Sequence, residues 1–232
     1  MASRITRVTL STVLGASLLF TGFSLGQAHS TVTSPVTPAP TALVGDQTCT
    51  TGPISQAIYG DSITSWNPPY AGDRNRSWVV WASSNEYPAL HGYAYPGVTL
   101  AQMAANATDS PAKVVTIMGG TNDLPIMALG KAGTPKAQML ASIDQIVSIE
   151  NPEEVVLLAV PPFGWNYYES NTWNAELQAH AEASGYHFFD PWTGYKDSNG
   201  AWWPGLSSDL VHPNPQYVSV AGKAIYQHLL GL

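Results

Sequence analysis

Val114-Val115-Thr116-Ile117-Met118-Gly119-Gly120-Thr121-Asn122-Asp123 is the stretch that decides the fold. An unbroken, mostly β-branched run ends at two glycines and a polar turn, the pattern of a short strand entering a loop. The pattern recurs on both sides. Upstream, Gln56-Ala57-Ile58-Tyr59 leads into Gly60, and Ala89 to Tyr93 is a weaker version. Downstream, Glu154 to Val160 is stopped by Pro161-Pro162, and His187-Phe188-Phe189 reads as a short last strand.

Between these runs the apolar period becomes helical. Trp78, Val79, Trp81 and Ala82 form one patch, and Thr99 heads a helix through Ala105 as its cap. After Thr134-Pro135, residues Met139, Ile143, Ile146 and Val147 recur at i, i+4, i+7 and i+8, a single stripe. Asn171 to Ser184 is a helix stopped by Gly185. The last helix has Asn214 at its cap, Pro215 at its first position, Tyr217, Ala221, Ala224, Ile225 and Leu229 on one face, and Gly231 at its exit. Strands that alternate with helices pair in parallel through right-handed crossovers. The expected fold class is therefore α/β: a three-layer α/β/α sandwich around a mostly parallel sheet of about five strands. Ligands in such folds bind beyond the carboxyl ends of the strands. Gly60-Asp61-Ser62, Gly120 to Asp123 and the segment from Pro161 onward all fall there.

The 232 residues suit one domain of ordinary size with extensions. In residues 1–30, Arg4 and Arg7 precede an apolar run from Val8 to Phe23 that ends among Gly26, Ala28 and Ser30. This is the layout of a signal peptide, predicting export and cleavage after Ala28 or Ser30. The run is too short and too rich in small polar residues for a stable membrane span. Residues 31–52 read as a Thr/Pro-rich linker and 53–232 as the folded domain. The chain has 9 basic and 16 acidic residues; loss of the leader removes Arg4 and Arg7 and no acid, leaving seven against 16, a charge of −9. That balance excludes a basic footprint for nucleic acid or anionic lipid. Cys49, the single cysteine, lies in the linker, so no intramolecular disulfide or thiolate cluster forms. The six histidines show no paired metal spacing, and neither metal nor cofactor is expected. The expected product is a secreted monomer.

Ser62 follows a strand and a glycine, so its hydroxyl can project at the carboxyl edge of the sheet. Asp209 and His212 are three residues apart, which places them on one side of a turn with Cβ atoms roughly 5–6 Å apart. A carboxylate there accepts the imidazole Nδ1–H and leaves Nε2 to take a serine proton. Pro213-Asn214-Pro215 braces the segment. Asn122, after the third strand, can donate its amide to a developing oxyanion. Each residue alone also fits ordinary turn or cap chemistry. Gly22-Phe23-Ser24-Leu25-Gly26 matches another nucleophile motif, but it lies in the leader with no strand before it.

Taken together, Gly60-Asp61-Ser62, Gly120-Thr121-Asn122-Asp123 and Asp209-x-x-His212-Pro213 resemble the blocks of the SGNH hydrolases, also called GDSL esterases and lipases, over about residues 55–230. The resemblance implies a flavodoxin-like SGNH hydrolase fold and a serine carboxylic ester hydrolase. Ser62 is the implied nucleophile, His212 the base and Asp209 its partner. The implied oxyanion hole comprises the Ser62 N–H, a glycine N–H of the second block and the Asn122 side chain. The second block departs from the family pattern, reading Gly92-Tyr93-Ala94-Tyr95-Pro96-Gly97, so Gly97 is the glycine carried over. Two aromatic-rich segments, Pro161 to Tyr168 and Trp192 to Trp203, flank the expected site. Trp165, Tyr167 and Trp202 are the candidates for substrate contact, as an acyl pocket, a sugar platform or simple loop packing. The leading expectation is a secreted esterase acting on a small-molecule or polysaccharide ester. An O-deacetylase or O-acyltransferase on a polysaccharide is the alternative, and a non-catalytic surface or carbohydrate-binding protein ranks lower because the set of residues is complete.

Overall fold

The computed structural model describes residues 54–65, 77–84 and 87–232. The predicted leader, the linker and Cys49 lie outside the described residues. Five strands, β1 (Gln56–Gly60), β2 (Ala89–Ala94), β3 (Val114–Met118), β4 (Glu154–Leu158) and β5 (His187–Phe189), form one sheet in the order β2-β1-β3-β4-β5. Every pairing is parallel. β3 is buried along its whole length, as its continuous run requires of a central strand.

Successive residues of each strand supply opposite faces. Ala57, Tyr59, Val115, Ile117, Val155 and Leu157 pack one way, against α2 (Leu100–Ala105), α3 (Lys136–Glu150) and α4 (Tyr167–Ser184). Ile58, Val114, Met118, Val156 and Leu158 pack the other way, against α1 (Val79–Ala82) and α5 (Pro215–Leu229). The three layers are those expected from the alternation of runs. Thr99 caps α2, as read from sequence, and does so through a reciprocal pair with Gln102.

Two boundaries, one helix face and one cap differ from the sequence reading. β4 ends at Leu158 rather than Val160, because the Asn174 side chain takes both backbone groups of Val160 at 2.9 Å in place of a neighbouring strand. α4 starts at Tyr167, four residues before Asn171, and the α5 face is centred on Val218 with Tyr217 and Ala224 only half-buried. Asn214 stands at the α5 cap position, but its side-chain amide donates to the Gly205 carbonyl at 2.8 Å and makes no capping bond. The chain leaves β1 toward β2 on one side and β3 toward β4 on the other. β1 and β3 are neighbours, so their carboxyl ends border the crevice where the winding reverses.

Candidate active site

Gly60 ends β1, and the Thr64 and Ser65 amides donate back to the Asp61 carbonyl at 3.1 and 2.8 Å. This tight turn lifts half-buried Ser62 out of the sheet. The Asp61 side chain points the other way and is 1% exposed. Its Oδ1 accepts the Ile63 N–H at 3.0 Å, and the Thr121 side chain also favours its charged form. Burial pushes this carboxyl up to about 6, against the opposing pull of the Ile63 amide and of His212.

His212 Nε2 lies 2.7 Å from Ser62 Oγ, and His212 Nδ1 lies 2.7 Å from Asp209 Oδ2. The second Asp209 oxygen accepts the Val211 and His212 amides at 2.9 and 2.7 Å. Partial burial works against the charge on Asp209, but the His212 amide and imidazole and the Val211 amide outweigh it and pull the carboxyl down to about 2. A permanently ionised carboxylate on Nδ1 fixes the tautomer in which Nε2 faces the hydroxyl. Three residues predicted from spacing thus stand in one hydrogen-bonded line.

Asn122 lies in a short 3-10 turn, Thr121–Asp123, entered through Gly120 at φ 115°. A side chain at Gly120 would stand 2.5 Å from the Trp173 indole nitrogen, so glycine is required twice over. One Asn122 amide hydrogen goes to the Val98 carbonyl at 3.0 Å, which ties it to the loop carrying Gly97. Its second hydrogen is available. Gly97 is exposed, has φ 80°, and lies just past the carboxyl end of β2. Buried Asp123, to which the sequence reading gave no role, accepts the Leu100 N–H at 3.0 Å. The Asn122 turn, the Gly97 loop and the start of α2 are therefore one connected unit.

The aromatic candidates divide. Trp165 and Tyr167 are exposed, as are Tyr168 and Trp203. Trp202 is half-buried: its indole N–H donates to the Leu210 carbonyl at 3.2 Å and its ring stands edge-on to Trp192, which is wholly buried. Leu210 also accepts the Gly164 N–H at 2.6 Å and has φ 69°. Nothing in a leucine advertises that conformation in a sequence. A glycine inside an aromatic-rich loop was the available signal of a close approach. A cavity of about 130 Å³ is lined by Ile63, Ser208, Asp209, His212, Pro213, Asn214 and Pro215, on the carboxylate side of the imidazole. Neither Ser62 nor Asn122 lines it.

Residues 58–217 match the model of the GDSL-like lipase/acylhydrolase family. The chain belongs to that family. As a GDSL-like acylhydrolase it is a carboxylic ester hydrolase, and its five-stranded parallel sheet is the SGNH hydrolase fold. A search of curated proteins by sequence gave no match. Among solved structures, it resembles a GDSL-like lipase from Bacteroides thetaiotaomicron (20% identity, 77% of this chain and 88% of the other, TM-score 0.60). It also resembles an acetylxylan esterase from Geobacillus stearothermophilus in a catalytic-mutant form (15% identity, 78% and 96%, TM-score 0.61). A third is a carbohydrate acetylesterase from Sinorhizobium meliloti (17% identity, 76% and 98%, TM-score 0.54). At these identities the likeness is one of fold. Among the described residues no helix is long and apolar enough to cross a membrane, and no cluster of three metal-ligating side chains occurs.

Proposed function

We propose that this acylhydrolase is a secreted serine esterase working through an acyl-enzyme. Ser62 Oγ attacks the ester carbonyl while His212 Nε2 takes its proton, and Asp209 stabilises the imidazolium. The imidazolium returns the proton to the leaving alcohol. Water, deprotonated by the same nitrogen, then releases the acid and restores Ser62. The tetrahedral oxyanion is held by the Ser62 N–H, the Gly97 N–H and the Asn122 amide. The single observation that carries this reading is the unbroken line from Asp209 Oδ2 through both ring nitrogens to Ser62 Oγ, with each polar link at 2.7 Å. Purified protein is expected to hydrolyse p-nitrophenyl acetate and to lose turnover in Ser62→Ala; undiminished hydrolysis by that variant removes Ser62 from the mechanism.

An O-deacetylase acting on an acetylated polysaccharide is favoured over a long-chain lipase by one observation. The aromatic rings near the site, Trp165, Tyr167, Tyr168 and Trp203, stand open to solvent instead of closing into an apolar acyl pocket. Two of the fold neighbours are an acetylxylan esterase and a carbohydrate acetylesterase, which fits this reading. Acetate release from acetylated xylan should exceed release of fatty acid from a long-chain nitrophenyl ester, and the reverse order of rates favours a lipase. Acyl transfer to a second sugar uses the same residues and is read by product analysis with an added acceptor.

A further inference from the structure

We infer that Trp202 is a positioning residue: its indole N–H, with the Gly164 amide, holds the Leu210 carbonyl and so maintains the bend that presents His212 to Ser62. The inference rests on the proposed roles of Ser62, His212 and Asp209. Leu210 and Asn151 are the positive-φ non-glycine residues among those described, and Asn151 is an ordinary helix C-cap. A leucine at φ 69° persists only where its surroundings over-determine it. Here the over-determination is visible. Gly164 N–H and Trp202 Nε1–H converge on one carbonyl, at 2.6 and 3.2 Å. A Cβ at position 164 would lie 2.5 Å from that of Leu210, so the approach depends on glycine.

The bend matters because it aims the next two residues. Asp209 Oδ1 collects the amides of Val211 and His212, immediately after Leu210, while Oδ2 receives the imidazole. An extended Leu210 would carry those amides away from the carboxylate and the ring away from Ser62. Trp202 is itself fixed from behind. It pairs with Lys196 across a short hairpin and stands against Trp192, whose own indole N–H donates to the Ala159 carbonyl past the end of β4 at 2.9 Å. The sheet thus supports the base through two tryptophans.

The test is Trp202→Phe, which keeps a ring against Trp192 and removes the donor. Loss of one such bond should lower kcat about tenfold with KM within about twofold. A fluorophosphonate, which reports nucleophile activation without the rest of the substrate, should label Ser62 more slowly by the same factor. Adding Leu210→Gly to that variant, which frees the backbone for the bend, should recover about threefold of the lost rate. Leu210→Val, a β-branched residue that resists this conformation, should slow labelling about tenfold or more without touching the aromatic rings. A rise in KM with unchanged kcat and labelling in Trp202→Phe makes Trp202 a substrate contact and overturns the inference, as does full-rate labelling of Leu210→Val. If the wild type itself is not labelled at Ser62, the proposed roles of Ser62, His212 and Asp209 fail first, and the inference with them.

Discussion

Asp61 precedes the proposed nucleophile and Asp209 holds the proposed base, and the two carboxyls are perturbed in opposite directions. Asp61 titrates near 6 when folded against 3.8 otherwise, so the folded state holds an extra proton between those values. The stability associated with the neutral carboxyl is complete below pH 4 and is lost as pH rises through 6. Between pH 4 and pH 7 the wild type should lose on the order of 3 kcal/mol relative to Asp61→Asn, read from urea midpoints. A difference independent of pH would mean that the carboxyl titrates at the same pH folded and unfolded. Asp209 behaves conversely: held near 2, its contribution is present above pH 4 and fades only as pH falls through 2. Activity should therefore show no inflection from Asp209 between pH 3 and 5. Asn122→Ala should reduce kcat about 10²–10³-fold with little change in KM, as expected for a donor used mainly in the transition state. That Ser62, His212 and Asp209 come together was legible because each belongs to a spaced motif, and motif spacing survives without knowledge of tertiary contacts. Asp61 in its buried form was not legible, since an Asp beside a Ser reads as turn chemistry until its neighbours are known.

At the scale of elements, the site is assembled where loops are stitched to helices. Gly120 shows how tight that assembly is. Ala at this position combines a strained φ of 115° with a methyl group pressed into the Trp173 indole, and should cost about 2–4 kcal/mol of stability in denaturant unfolding. Asp123 links the Asn122 turn to the first amide of α2, so Asp123→Ala should loosen the Asn122 turn while leaving the Ser62–His212 bond in place. Most elements announced themselves: β3 by its unbroken run, α2 by Thr99, α3 by its stripe. The ends were less readable. β4 stops at Leu158 because Asn174, far along the chain, satisfies Val160, and no local preference at Val160 encodes that. α4 begins early for a similar reason, since Ser170 takes the Phe163 amide and anchors a first turn that the aromatic residues alone do not signal.

For the whole molecule, alternation of runs was enough to read a parallel three-layer fold, because crossover connections leave few topologies open. The chemistry then came from position, with motifs falling at the strand ends where winding reverses. If residues 1–30 direct export, expression in a secreting bacterial host should yield a product in the medium beginning at His29 or Thr31; an intact Met1 terminus in the medium argues against cleavage. What stayed hidden was the meeting at Leu210, whose causes lie in two separate loops. Those loops also carry the exposed rings Trp165 and Trp203, each one residue from a donor to the same carbonyl. If those rings meet the substrate, as proposed, specificity and rate are not separable modules in this enzyme. Grafting a foreign loop after β4 to recruit a new substrate would then retune the proposed base in the same stroke.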